Sequence, residues 1–294
     1  MKFRFWGVRG SIPSPGPHTV RYGGNTTCIE VRVDDGTHDG TLLVLDAGTG
    51  LYPLGQELMR RRAADGRQVA AHLFITHSHW DHIHGLPLFP PLFARGSVVR
   101  LHGAANAATG QGIEHVMAVQ LQDSYFPVSE ESMNATIDYA TLAIGASHAV
   151  GGAVVRNVLM NHPVTNLGYR IDSGGRSLFF TGDHEPFAAP FDAATARRQA
   201  EIDAAMAGVD ALIVDCSYTI EEYPRRRGWG HGTLDGAIEM ALRVGAKALY
   251  CTHHEPTRGD DALEAAFGQA LARWRDRLGD LRVVLAYEGL EVTL

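Results

Sequence analysis

The sequence predicts an α/β (α+β) fold in which helices cover β-sheets, and three observations carry that reading. Short runs rich in Val, Ile, Leu and Phe alternate with helix-period segments along the chain. Several polar residues suited to chemistry fall just past the ends of those runs. No linker-like, low-complexity or repeated stretch divides the 294 residues, so they read as one domain, 1–294.

In chain order, strands are predicted at 2–6, 27–33, 41–46, 72–76, 98–102, 154–159, 167–171, 177–181, 211–215, 248–252 and 282–286. Each is a short apolar run bounded by Gly, Asp, Pro or Ser. Helices are predicted at 52–64, 111–122, 194–207, 234–244 and 261–278. In the last, Leu263, Phe267, Leu271, Trp274 and Leu278 recur every three or four residues after Asp260 and Asp261 as a cap. The helix from Leu234 has Thr233 as its N-cap candidate and stops at Gly245.

The chain is 45% apolar and 20% charged, with 26 Lys+Arg against 33 Asp+Glu and a formal charge of −7. That balance argues against the basic footprint of a general nucleic-acid binder and against docking on anionic lipid. Cys28, Cys216 and Cys251 are odd in number and widely spaced, with no CxxC, so neither a disulfide framework nor a cysteine zinc site follows. With no signal-like or membrane-length apolar run, a reducing, cytoplasmic location is expected. The 15 histidines are the unusual entry in the composition.

Four of them stand close together in Thr76-His77-Ser78-His79-Trp80-Asp81-His82-Ile83-His84. In an extended stretch alternate side chains share a face, so His77 and His79 can meet one metal while Ser78 points away. Asp81 and His82 follow where the chain turns, and can serve a second metal. Imidazole and carboxylate are ordinary ligands for zinc and similar divalent ions.

This segment resembles the metallo-β-lactamase superfamily, whose signature is HxHxDH after a strand. The resemblance continues through Leu45-Asp46-Ala47-Gly48-Thr49-Gly50, Asn161-His162-Pro163, Thr181-Gly182-Asp183 and Cys251-Thr252-His253-His254-Glu255-Pro256, and spans Phe3 to Glu288. It implies a four-layer αβ/βα sandwich with metals at one edge of two sheets. It further implies that His77, His79 and His162 hold one ion, that Asp81, His82 and His253 hold the other, and that Asp183 bridges them. His254 is the alternative to His253, and Asp46 would orient a ligand histidine. His84, His184 and His254 read as supporting residues, and His18, His38, His72, His102, His115 and His148 as ordinary ones.

The implied cofactors are two divalent ions, Zn2+ by donor type, with Mn2+ or Fe2+ as alternatives. Such a pair suits hydrolysis of phosphodiesters, lactams, lactones or thioesters. Asp183 stands where many lactamases have cysteine, and His79 stands where the di-iron branch has glutamate. Gly228-Trp229-Gly230-His231-Gly232-Thr233 resembles the phosphodiesterase branch, which includes tRNA 3′-processing endonucleases and cyclic-nucleotide phosphodiesterase-like proteins. Gly232 departs from the serine usual there.

The resemblance implies a metal-bridging hydroxide that attacks phosphorus, with His231, Asp215 and Asp81 as the catalytic set. His231 would protonate the leaving oxygen and Asp215 would orient it. A helix beginning just after His231 also offers free N–H groups to an anion. Residues 163–182 are too few for the arm of the tRNA-processing enzymes. With the negative charge, this favours a small phosphodiester such as a cyclic nucleotide or dinucleotide, with no large nucleic acid, no membrane and a homodimer as the expected assembly. A lactone or thioester hydrolase, or a vestigial metal-binding sensor, are the competing readings.

Overall fold

The computed structural model describes residues 1–36 and 40–294, so His38 lies outside the described residues. Six strands come first: β1 (Lys2–Gly7), β2 (Cys28–Val33), β3 (Thr41–Leu45), β4 (Ala70–Phe74), β5 (Val98–Ala104) and β6 (Thr136–Leu142). Then follow β7 (Ser147–Val150), β8 (Ala153–Leu159), β9 (Leu167–Ser173), β10 (Arg176–Phe180), β11 (Ala211–Asp215), β12 (Ala248–Thr252), β13 (Arg282–Leu285) and β14 (Glu291–Thr293). They form two seven-stranded sheets, in the orders β14-β1-β2-β3-β4-β5-β6 and β13-β12-β11-β10-β9-β8-β7.

Side-chain alternation decides how these sheets pack. In β1, Phe3 and Phe5 point inward and are buried while Lys2 and Arg4 point out. They join Ile29, Phe74, Tyr169, Phe180 and Tyr250 in a core between the sheets. Withdrawing each such ring from water contributes about 2–3 kcal/mol. The outer faces are covered by helices. On the first sheet, α1 (Leu51–Asp65) sets Leu51, Leu54 and Leu58 against Val44 and Leu73. The short α2 (Trp80–Ile83) and α3 (Ile113–Gln120) add Ile83, Ile113 and Met117 to that side. On the second sheet, α4 (Ala193–Met206), α5 (Leu234–Val244) and α6 (Asp260–Trp274) cover Leu212, Leu249 and Phe179. The result is the four-layer αβ/βα sandwich.

Thr233 caps α5 by accepting from the N–H of Gly236, and Gly245 closes the helix in the left-handed region. For α6 the cap is Gly259, not the aspartates. Asp260 is instead the first helical residue, and its carboxylate accepts from the N–H of Arg21 at 2.9 Å. Strands β6, β7 and β14 were not predicted. Their half-exposed, polar alternation leaves little apolar signal. No helix among the described residues is long and apolar enough to cross a membrane.

Strands β3 and β4 run parallel, as do β10, β11 and β12, so their C-terminal ends reach one edge of the sandwich. Asp46, His77, Asp183, Asp215 and His253 all sit at those ends.

Away from that edge, His102 stacks on Phe74 with centroids 4.4 Å apart, and its Nε2 lies 3.1 Å from Nδ1 of His72. Burial, and then the nearby His72, His148 and Arg100, push its imidazole down to about 4. The folded chain therefore refuses a proton that the unfolded chain accepts below about 6.5. This group's contribution is intact above that pH and is lost as pH falls toward 4. Between pH 7 and pH 5 the loss should reach about 2 kcal/mol. Denaturant unfolding at both pH values should show that His102→Phe, which keeps the stack, removes this part of the slope; equal slopes in the two proteins would contradict the assignment.

Candidate metal centre

Asp46 follows β3 directly, with φ of 60°, a conformation that non-glycine residues seldom adopt. There its buried carboxylate accepts from Thr76 N–H at 2.7 Å, Thr76 Oγ1 at 3.0 Å and His82 Nδ1 at 2.7 Å. From the other sheet, Tyr169 OH donates to Ile75 O at 2.7 Å and Leu167 N–H to Thr76 O at 2.9 Å. The segment entering His77 is thereby clamped from both sheets.

His82, His162 and His253 share one pattern: one ring nitrogen is engaged outward and the other faces a common centre, whereas His79 turns its Nδ1 inward. His82 uses Nδ1 on Asp46, His162 donates Nδ1–H to Gly230 O at 3.0 Å, and His253 Nδ1 meets Ser217 Oγ at 3.0 Å. Such outward bonds select the tautomer whose Nε2 is a bare acceptor.

Inside, the two oxygens of Asp183 face two different groups. Asp183 Oδ1 lies 3.2 Å from His82 Nε2 and 3.1 Å from His253 Nε2. Asp81 Oδ2 stands 3.3 Å and 3.1 Å from the same two nitrogens. Asp183 Oδ2 lies 3.4 Å from His77 Nε2 and 3.9 Å from His162 Nε2, and His79 Nδ1 is 3.2 Å from His162 Nε2. The structure thus brings all seven metal-ligand candidates into two adjoining sets, His77, His79, His162 and Asp183, and Asp81, His82 and His253 with Asp183 beside them. His254, by contrast, turns away, with Nε2 2.8 Å from Ala286 O.

The donor set fits divalent cations. His77 Nε2, His82 Nε2 and Asp183 Oδ1 are buried with no hydrogen-bond partner. Acceptor atoms that converge on one another without hydrogen between them repel unless positive charge lies among them. Burial first pushes the His77 imidazole down, to about 3, keeping its nitrogen bare. Burial works the other way on Asp183, but positive charge on His253 and His82 outweighs it and holds the carboxyl well below the usual range. Against burial, Asp183 in turn raises both of those imidazoles, so this centre calls for positive charge from protons or from cations.

Beside this centre, His231 Nδ1 lies 2.8 Å from Asp215 Oδ2, and its ring stacks on His253 at 4.9 Å. Asp215 is fully buried and accepts also from His184 N–H, Ser217 N–H and Ser217 Oγ. Asp183, Asp215, His231 and His253 also lie close enough to form a ligand group. The full complement of donors around Asp215 marks it as the partner of His231 instead. Burial alone would lower the His231 imidazole, but the charges of Asp215 and Asp183 override it and raise it to about 9. Two of the N–H groups at the helix N-terminus after His231 are already engaged. Leu234 N–H donates to Tyr218 O and Gly236 N–H to Thr233 Oγ1.

Three contributors were not read from the sequence. Ser11 N–H donates to Asp81 Oδ2 at 2.7 Å. That approach needs Gly10, where a Cβ would fall 2.3 Å from the His253 ring. Ser217 links His253 to Asp215. Glu185 is buried, and its carboxylate accepts from Tyr223 OH at 2.7 Å and from the N–H groups of Gly228 and Gly230, both at 2.8 Å. Gly230, at φ of 88°, presents its carbonyl to His162 and has no room for a Cβ. A glutamate two residues after Asp183 carries no sequence signal for this. Asn25 and Thr26 tie loops together, to Glu288 and Thr49 respectively.

The profile of the Beta-lactamase superfamily domain matches residues 41–254. Ribonuclease Z of Halobacterium salinarum is 24% identical over 91% of this chain and 91% of its own. Among solved structures, yeast PDE1 superposes with a TM-score of 0.69 at 16% identity, covering 100% of this chain and 99% of that one. The short form of human tRNase Z (ELAC1) gives 0.65 at 17% identity, covering 100% of this chain and 99% of that one. These two show a shared fold. The relative named for RNA overturns the expectation that no large nucleic acid is a partner. That expectation leaned on the short segment 163–182, which has no room for an arm, and on the −7 net charge, which is a sum over the whole surface and does not describe the field at one edge.

Glu185→Ala leaves three donors without their acceptor. It should lower unfolding free energy by about 2–4 kcal/mol and, through Gly230 and His162, weaken divalent-metal affinity about tenfold. Chemical denaturation and chelator-competition titration check this; wild-type values in both would show that Glu185 bears no such load.

Proposed function

The chain belongs to the beta-lactamase superfamily and is a metal-dependent hydrolase, and we propose that the bond it cleaves is a nucleotide phosphodiester. The observation that carries this reading is the pair His231–Asp215 set against the metal-ligand cluster. A phosphodiester with an alkoxide leaving group needs a proton donor at that position, and an activated ester does not.

In this reading His77, His79 and His162 would hold one ion and Asp81, His82 and His253 the other, with Asp183 beside both groups. Two divalent ions, zinc by donor type with manganese or iron(II) as alternatives, would lower the pKa of water and offset charge on the phosphoryl oxygens. The chain's own residues do the rest. Asp215 takes the Nδ1–H of His231, which leaves Nε2 as the atom that delivers a proton to the departing oxygen. The charge of Asp215 favours the imidazolium before that step. Asp81 is fixed by Ser11 N–H and keeps its place between His82 and His253. The ring of Tyr218, edge-on to His231 at 5.9 Å, limits how far the imidazole can swing.

A cyclic nucleotide or dinucleotide falls within this reading, and RNA, the substrate class in the name of the Halobacterium relative, joins it. Turnover of cyclic AMP, the dinucleoside phosphate ApA, an RNA oligonucleotide, bis(p-nitrophenyl) phosphate and a lactone panel tests it. The phosphodiesters should be preferred. His231→Ala should lower kcat on ApA by roughly 10²–10⁴-fold, and by much less on the p-nitrophenyl ester, whose leaving group needs no proton. Lactone preference, or unchanged ApA turnover by the variant, would contradict the proposal.

A further inference from the structure

The loop that carries His231 also carries Arg225, Arg226 and Arg227 at its crest. Its base is fastened at several points. Glu185 holds Tyr223, Gly228 and Gly230. Glu222 pairs with Arg258, which also donates to Ser217 O at 3.0 Å. A loop so anchored presents its side chains in fixed places.

Arg226 is the half-buried member of the three. Its guanidinium lies over the Trp229 ring, 4.6 Å from the centroid, and 5.9 Å from that of Tyr218. Among the described residues it has no hydrogen bond or ion pair from its side chain. Glu222 is the acidic group that feels its charge, and that carboxylate is already paired with Arg258. A guanidinium resting on aromatic faces has lost much of its rotamer freedom and keeps its N–H edge for a bidentate acceptor. Trp229, 56% exposed, is held in water with Arg226 as its ring partner.

Position supplies the rest. Tyr218 touches both groups, Arg226 at 5.9 Å and the His231 ring at 5.9 Å. The unpaired cation thus stands one aromatic ring from the proposed proton donor. A neighbouring phosphate of a nucleotide chain can cover that distance.

We propose that Arg226, stacked on Trp229, binds a second phosphate next to the one being cleaved, so that the substrate is a nucleotide chain of at least three nucleosides joined by two phosphodiesters. This rests on the phosphodiesterase reading above and narrows its substrate class. A lone diester or a cyclic mononucleotide leaves the arginine without its partner.

The test compares an eight-residue oligoadenylate with bis(p-nitrophenyl) phosphate, using wild type, Arg226→Gln and Arg226→Lys. For Arg226→Gln the ratio of kcat/KM on the oligomer to that on the small ester should fall about tenfold, mostly through KM. Arg226→Lys, which restores charge without the fork, should fall between. Binding of fluorescently labelled, phosphorothioate-linked oligoadenylate to the metal-loaded protein should weaken alongside. The dependence of log Kd on log salt should lose about 0.7 from its slope, as expected for one phosphate contact on a single strand. An unchanged ratio, whether both activities hold or both fall together, overturns the assignment. If the wild type cleaves neither ester, the phosphodiesterase reading fails, and the binding measurement still decides: equal affinity of wild type and Arg226→Gln for the oligomer would overturn the role of Arg226.

Discussion

The carboxylate of Asp183 is the constraint on which the site depends. It is buried where two sheets end, and each of its oxygens looks into a separate group of imidazole nitrogens. None of those contacts is a hydrogen bond between neutral partners. The inward ring nitrogens are bare because their opposite faces are already bonded, to Asp46, Gly230 and Ser217. Removing those outward bonds would let the rings turn or change tautomer, and the acceptor cage would relax. Polar groups placed at odds in this way are tolerated at functional sites and are offset by packing elsewhere. Here the core between the sheets and the two helix-covered faces supply that packing.

Backbone conformation follows from the same demand. Asp46 and His253 both adopt positive φ, at 60° and 58°. Each sits directly after a parallel strand, where the chain must bend sharply to aim a side chain along the sheet edge. Gly10 and Gly230 serve the same end by their lack of a side chain, since both touch a ring of the cluster. The loop from Tyr218 to Gly230 extends this rigidity outward from the centre to solvent, and Glu185 is its anchor.

Legibility in the sequence varied with chemical density. His77, His79, Asp81 and His82 could be read because four ligand-type residues seldom fall within six positions unless they bind something together. Their companions past distant strands, His162, Asp183 and His253, needed the family resemblance, since each contributes one ligand from a segment with no dense pattern of its own. Glu185 and Ser217 escaped because their work is to bond backbone and ring atoms brought together only by folding. Strands β6 and β7 escaped because a half-solvated strand alternates without enough apolar contrast. The exclusion of large nucleic acids failed for a different reason. Net charge is a property of the whole chain, while an anionic partner meets the field at one place on the surface.

The central claim is that Asp183 stands between two divalent ions. Native mass spectrometry of the stripped protein, reloaded with zinc and freed of excess by buffer exchange, measures this directly. The account predicts two zinc ions per wild-type chain, with both weakened in Asp183→Ala because the residue faces both groups. A wild-type chain that retains one ion or none, or an Asp183→Ala chain that still holds two, would contradict it.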